Sequence, residues 1–377
     1  MTPRIPYDRT LIAIVLTLLG FGLIMVFSAS GPISKELYGS HTAIFIRQLT
    51  AVILGLLLLL ITMRIDYLFY QRRSVVYSLL ILTLVLLVFV LWMPGGNGVR
   101  RWIRFGTINF QPSELAKLVV IIFSSFYLIR KKELLKSFSR GLVPYLLVVG
   151  TIVVLVAVEP DLGTAVSITM TSAFLLFVGG IHLRFLLALS AAALPVLFFM
   201  VLSAPYRFNR IIAFLDPEKD PYGISYQVRQ SLIAIGSGGW KGLGFAQGKQ
   251  KLFFLPEPHT DFVFSVVGEE LGFLGCLALL LLFGLLFWKS VKIALRAKTP
   301  FGTFLGLGIA ATIILQALIN ISVSLSMMPA KGLPLPLISV GGSSMVIMLA
   351  ALGILLNISR DTDPHKRSKG WIKVTDA

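Results

Sequence analysis

The chain has 377 residues, 56% of them hydrophobic and only 14% charged, with a formal net charge of +17. Apolar runs near 20 residues long recur from end to end, which excludes a soluble domain and marks an all-α polytopic membrane protein. The runs are too continuous for the strands of a transmembrane barrel. The positive charge suits an anionic leaflet once it is sorted by loop, and calls for no nucleic acid.

The apolar pattern predicts about ten spans, at 11–30, 43–62, 74–93, 112–129, 142–158, 162–181, 183–202, 262–288, 304–327 and 335–358. Each is about 17–27 residues long, which matches a hydrocarbon core about 30 Å thick. The first follows Arg4 and Arg9 and is expected to act as an uncleaved signal anchor. Basic residues orient the rest. Arg64, Arg72 and Arg73 follow the second span, Arg130, Lys131, Lys132, Lys136 and Arg140 the fourth, and Lys289, Lys292, Arg296 and Lys298 the eighth. A tail at 359–377 adds Arg360, Lys366, Arg367, Lys369 and Lys373. These are the even-numbered connections and the C-terminus, so both termini are expected in the cytoplasm. The chain reads as one membrane domain over 1–377, with a large extracytoplasmic loop at 203–261 between spans seven and eight. The one cysteine, Cys276, lies in an apolar run, so no internal disulfide is possible.

Two outer segments carry basic residues on the side where they are scarce. Residues 94–111 hold Arg100, Arg101 and Arg104 with Trp102, a headgroup contact or a clamp for a phosphate-bearing lipid. The loop at 203–261 is about 59 residues long, and a connection of that length in a compact bundle is usually functional. Within it, Ile224, Val228 and Leu232 recur at four-residue spacing, which predicts an amphipathic helix lying on the membrane. GSGGWKGLGFAQG at 236–248 reads as a tight turn, without the Gly-Lys-Ser/Thr of a nucleotide phosphate loop.

Charge inside the spans is rare. Glu114 and Lys117 in QPSELAK share a helix face, as a structural ion pair or as the lining of an outward-facing cavity that Gln111 and Ser113 extend. Glu159 and Asp161 flank Pro160 in EPDLGTA, and Asp161 is placed to cap the sixth span. Glu269 and Glu270, two turns into the eighth span, suit structural hydrogen bonding. The stretch KQKLFFLPEPHTDFVFSVVGEELG at 249–272 opens with Lys249 and Lys251 and passes two prolines that forbid a continuous helix. It then presents His259, Thr260 and Asp261 where an apolar run begins. Ionisable groups there cost free energy unless they serve a purpose, so Asp261 is the first candidate for chemistry; capping of the helix by Asp261 or Thr260 is the other reading. In MPAKGLPLPLISVGGSS at 328–344, three prolines and Gly341, Gly342, Ser343 and Ser344 break the last span. Irregular backbone at that depth must border protein or a water-filled cavity. His41, His182 and His365 are scattered, so a tetrahedral zinc site is not expected. A divalent cation such as Mg or Mn, held by carboxylates including Asp261 and by substrate phosphate, is left open. The residues alone describe an outward-opening polar cavity for an amphiphilic, anionic substrate whose tail stays in lipid.

Five stretches carry a resemblance that covers nearly the whole chain: MVFSAS at 25–30, RRWIRFG and FQPSELAK within 100–117, EPDLGTA at 159–165, QKLFFLPEPHTDFVFSVVGEELG at 250–272, and KGLPLPLISVGGSS at 331–344. They resemble the SEDS family (shape, elongation, division and sporulation), the membrane-embedded peptidoglycan glycosyltransferases, and its division-type (FtsW-like) branch more than the elongation-type (RodA-like) one. The resemblance implies ten transmembrane helices in the cytoplasmic (inner) membrane and polymerisation of lipid II at its outer face. The acceptor GlcNAc 4-hydroxyl would attack the anomeric carbon of a donor MurNAc, giving a β-1,4 glycan strand and releasing undecaprenyl pyrophosphate. It makes Asp261 the catalytic residue, and a general base is what such an attack needs. The α-linked donor and β-linked product mean inversion, so one base suffices. Glu114 and Lys117 match polar cavity positions and Asp161 an outer acidic one. Arg101, His259, Lys249, Lys251, Lys331 and Ser343 lie in the matching stretches as candidate substrate or cavity contacts. The departing pyrophosphate needs positive charge, from such residues or from a divalent cation. Implied partners are a class B penicillin-binding protein transpeptidase, other divisome or elongasome membrane proteins, and membrane lipid. The competing functions are a lipid II flippase and a non-catalytic scaffold. The chain departs from the pattern at Val340, where ISYGGSS is usual, and at Pro258, where Ala or Gln is common.

Overall fold

The computed structural model describes residues 7–93, 100–105, 108–202, 208, 212, 214, 224–329 and 332–361. Among them run α1 (Arg9–Tyr38), α2 (Ala43–Arg64), α3 (Arg73–Leu91), α4 (Pro112–Arg130), α5 (Val143–Val158), α6 (Leu162–Val178) and α7 (Leu183–Leu202). They are followed by α8 (Ile224–Gly238), α9 (Val263–Leu295), α10 (Pro300–Ser324) and α11 (Gly342–Arg360). Eight of the helices are long and apolar enough to cross a membrane by length and composition, and α6 is a shorter apolar helix. A two-stranded hairpin, β1 (Ile103–Phe105) against β2 (Ile108–Phe110), lies between α3 and α4, with Ile103 opposite Phe110.

Burial sorts the helices into layers. The apolar windows of α4, α10 and α11 are 83%, 78% and 83% buried, whereas those of α1, α2, α3, α5 and α9 are 28–39% buried. The first three therefore form the centre, and the others turn most of their apolar surface outward, as lipid permits. Small residues set the spacing. Gly55 of α2 faces Leu349 of α11, and Gly353 of α11 lies against Leu59 and Thr62 of α2, closer than a Cβ would allow.

The last span differs from its sequence reading. Its helix starts at Gly342 rather than 335, because 333–341 is irregular and mostly buried. Side chains from the helices satisfy this backbone. Gln316 Nε2 donates to the Pro334 carbonyl at 2.9 Å, Asn320 Nδ2 to that of Leu333 at 2.7 Å, and Gln48 Nε2 to that of Ser339 at 3.1 Å. That is the condition for non-helical chain at membrane depth.

α8 is a helix, as expected, but its buried face is a different one. Ser225, Val228, Ser231 and Ala234 are buried while Leu232 is exposed, so the face that meets the bundle is made mostly of small residues and takes Val228 but not Leu232 from the apolar stripe. Ser231 Oγ lies 2.5 Å from Ser265 Oγ of α9 and donates to the Ser324 carbonyl of α10 at 2.7 Å. Beyond α8 the chain interlocks with α9. A Cβ on Gly238 would strike the Gly268 carbonyl, one on Gly242 the Glu270 carbonyl, and one on Gly272 the backbone of Lys241 and Gly242. Gly272 also has φ 65° and ψ −162°, which breaks the helical path of α9 at that contact.

Glu269 and Glu270 hold the same loop in place. Glu269 Oε1 accepts the backbone N–H groups of Lys249 (2.7 Å) and Gln250 (3.0 Å), and Glu270 Oε2 that of Ala246 (3.0 Å). Both carboxylates are buried.

Candidate active site

Three polar groups gather on the side of the bundle where α4, α6 and α11 begin. The first is built on Asp161, the N-cap of α6, whose Oδ1 accepts from Thr164 N at 3.2 Å. Its other oxygen accepts from Gln111 Nε2 at 2.8 Å and from Ser113 Oγ at 3.1 Å. Gln111 N in turn donates to Ser343 Oγ at 3.0 Å, and the Ser343 hydroxyl donates to the Asn109 carbonyl at 2.9 Å. One serine thus ties the start of α11 to the hairpin and to the start of α4. Arg101 donates through Nε to the Glu159 carbonyl at 3.1 Å and through its guanidinium to the Pro160 carbonyl. It clamps the α5–α6 turn instead of standing free toward solvent.

Glu159 sits in that turn, fully buried, and neither carboxyl oxygen has a partner among the described residues. Burial pushes its carboxyl up to about 9; nearby Asp161 adds to the shift and Arg101 opposes it. It is therefore a neutral acid at pH 7.

The second group is the Glu114–Lys117 pair. The two heads lie 2.8 Å apart and both are buried. Lys117 Nζ also donates to Gln316 Oε1 at 2.8 Å. The pair lines a small cavity with Leu118, Ile121, Thr312 and Met348.

The third group surrounds Asp261, which lies half-buried two residues before α9 begins. It is not the cap: Phe262 occupies the N-cap position, without a side-chain cap bond. Asn320 Nδ2 donates to the Asp261 carbonyl at 2.9 Å and, as above, to that of Leu333 at 2.7 Å. A Cβ placed on Gly332 would come 3.4 Å from Asp261 Oδ2, so backbone, not a side chain, borders the carboxylate on that side. His259 is buried, its carbonyl accepting Val340 N at 2.9 Å. Its Nε2 is 3.9 Å from Glu257, and its Nδ1 has no partner among the described residues. Burial lowers its pKa more than Glu257 raises it, so the imidazole is neutral at pH 7.

The groups are continuous. Asp161 reaches Gln111 and Ser113, Ser113 adjoins Glu114, Lys117 reaches Gln316, and Gln316 and Asn320 hold the strand of chain that borders Asp261. Of the expected site residues, Asp161, Glu114, Lys117, Arg101, Ser343, His259 and Asp261 all belong to this system. Lys251 does not. Its ammonium is buried against Glu270 Oε1 at 2.5 Å and Ser28 Oγ at 2.7 Å, where Glu270 requires a counter-charge. Lys249 is exposed and meets Glu269 through its backbone N–H. Lys331 lies outside the described residues.

Gln316 and Asn320 were missed by a reading that treated the ninth span as apolar. Thr312, Gln316, Asn320 and Ser324 recur every four residues along α10 and mark a polar stripe in an otherwise lipid-compatible helix. No group of three or more His, Cys, Asp and Glu side chains close enough to hold a metal occurs among the described residues. Among the described residues the donor set therefore does not fit a cation held by protein alone.

The fold is that of a polytopic helical membrane protein, with a buried polar network among its described residues and the Asp261 carboxylate half-buried where α9 begins. The "Cell cycle protein" family model of FtsW, RodA and SpoVE matches residues 9–364, and the chain belongs to that family. It is 42% identical over 357 residues to "Probable peptidoglycan glycosyltransferase FtsW" of Trichlorobacter lovleyi, covering 94% of this chain and 93% of that one. It is 40% identical over 363 residues to "Stage V sporulation protein E" of Bacillus subtilis, covering 95% and 98%. Among solved structures, a chain from a peptidoglycan synthase complex studied for its coordination of polymerization and crosslinking superposes with a TM-score of 0.78 at 32% identity, covering 94% of this chain and 98% of that one. The rod shape determining protein RodA of Thermus thermophilus gives 0.67 at 29% identity, covering 94% and 97%.

Proposed function

We propose that this protein is a peptidoglycan glycosyltransferase that polymerises lipid II at the outer face of the cytoplasmic membrane, in septal wall synthesis, with Asp261 as general base. The names of its relatives support the activity, and those at about 40% identity point to division and sporulation more than to elongation. The observation that carries the residue assignment is the placement of Asp261. It is half-buried and bordered by Gly332, and its main chain is held by Asn320 at the end of the buried polar network that runs from Asp161 through Lys117 and Gln316.

In this reading the ionised Asp261 takes the proton of the acceptor 4-hydroxyl as that oxygen bonds to the donor anomeric carbon. The bond to the undecaprenyl pyrophosphate breaks with its electron pair, and configuration inverts. Neutral His259 can offer a hydrogen bond but no charge. The leaving group must find its positive partner elsewhere, and Lys117 and the exposed Lys249 are the candidates. A class B penicillin-binding protein is the expected membrane partner, since the structural match is to a synthase complex that couples two activities.

The test is polymerisation of purified lipid II by the reconstituted protein with its transpeptidase. Asp261→Asn is expected to elute and melt as the wild type does, yet lose roughly 10²–10⁴-fold in rate, the range of a general base. Wild-type rates in that variant would remove Asp261 from the chemistry. Lipid crossing the bilayer without any glycan would favour a flippase.

A further inference from the structure

The C-terminal end of α9 gathers a second cluster of charge, at the opposite end of that helix from Asp261. Lys289, Lys292 and Arg296 are spaced by three and four, so they share one face of its last turns. With Ile293, with Asp8 before α1 and with Ser359 near the end of α11, they line a small open pocket of ≈ 80 Å³. Three cations meet one carboxylate there. Asp8 Oδ2 lies 3.0 Å from Lys289 Nζ, and its Oδ1 is taken up in capping Leu11 N at 3.0 Å. Lys292 is half-buried with its ammonium 4.8 Å from the Trp288 ring centroid, and Arg296 is exposed.

The surface beside the pocket is as informative as its charge. Leu277, Leu281, Leu285 and Trp288 are exposed, and their spacing makes one apolar wall along α9 that ends at the cations. Tryptophan at the end of such a wall marks headgroup depth. The carbonyl end of α9 opposes an anion, and the start of α1 at the same place offsets it.

We propose that this pocket binds the phosphate of an anionic phospholipid, whose acyl chains lie along the Leu277–Trp288 wall. A soluble phosphate would use the cations but not the wall, and a zwitterionic lipid would use the wall but leave the net charge unmatched. The site is independent of the polymerase reading.

The experiment titrates short-chain phosphatidylglycerol against the full-length protein in mild detergent, read by native mass spectrometry. Near-surface cations contribute about 1 kcal/mol each to binding anionic lipid, so Lys292→Gln with Arg296→Gln is expected to weaken binding roughly 30-fold. Lys292→Arg with Arg296→Lys should retain it, as should Arg72→Gln with Arg73→Gln at another basic loop. Unchanged affinity in the glutamine double variant, or equal affinity for phosphatidylcholine, overturns the site. Displacement of the lipid by inorganic phosphate at equal concentration overturns its assignment to lipid.

Discussion

Lys251 and Glu270 separate a structural role from a substrate role. Glu270 is fully buried, and its oxygens receive Lys251 Nζ at 2.5 Å, Ser28 Oγ at 2.7 Å and Ala246 N at 3.0 Å. Lys251→Met leaves a buried carboxylate with only the hydroxyl and one N–H. Removing one partner of a buried pair costs about 3–5 kcal/mol, largely as the penalty on the charge left behind. Adding Glu270→Gln removes that charge while keeping an acceptor for Ala246 N. The double variant should therefore recover at least about 2 kcal/mol, a coupling far outside the additivity of independent sites. In thermal unfolding of the detergent-solubilised protein, the single variant is expected roughly 5–10 °C below wild type, with the double variant between them. Lipid II polymerisation by the double variant should stay within about threefold of wild type. A double variant that melts normally but makes no glycan would place Lys251 on the substrate. A single variant as stable as wild type would mean the pair does not hold the loop.

Asn320→Ala removes both hydrogen bonds that fix the Asp261 carbonyl and the 332–341 segment, so kcat should fall about 10–100-fold with KM for lipid II little changed. A rise in KM alone, seen in steady-state kinetics, would argue that Asn320 contacts substrate instead. Gly272→Ala forces a Cβ into the backbone of Lys241 and Gly242 at a positive φ, and should cost more than about 2 kcal/mol in an unfolding assay. The Glu159 carboxyl, raised to about 9, binds its proton more tightly in the folded chain than in the unfolded one. Its stabilising contribution is complete below the ordinary carboxylate range and is lost as pH rises toward 9, by up to about 1.4 kcal/mol per pH unit. Glu159→Gln should flatten that part of the stability profile between pH 5 and 9; an unchanged slope would show that Glu159 is already ionised.

How far the chain could be read before folding varies by feature. Membrane class, most helix positions and the Glu114–Lys117 pair follow from short-range pattern, because helical periodicity and the cost of charge in lipid act on neighbouring residues. Asp161 as the cap of α6 was legible for the same reason. Gly268 and Gly272 leave room for a close approach, but what approaches is the end of α8 at one and the loop after it at the other, which sequence spacing does not specify. α8 shows the limit: Ile224, Val228 and Leu232 make the more apolar face, yet Ser225, Ser231 and Ala234 share the buried one with Val228, since hydrophobicity does not drive helices together in lipid and close packing does.

The amino-acid order by itself determined that this is a helical membrane protein with a carboxylate at the foot of a long loop. Only the tertiary structure decided which polar residues face one another. It turned Lys251 inward to Glu270, drew Arg101 onto the α5–α6 turn, and brought Gln316 and Asn320 from α10 to the segment beside Asp261. The reason is that a buried polar group must find its partner, and those partners lie 13 to 59 residues away along the chain. Periodicity records which face a residue occupies; it carries no information about what stands opposite.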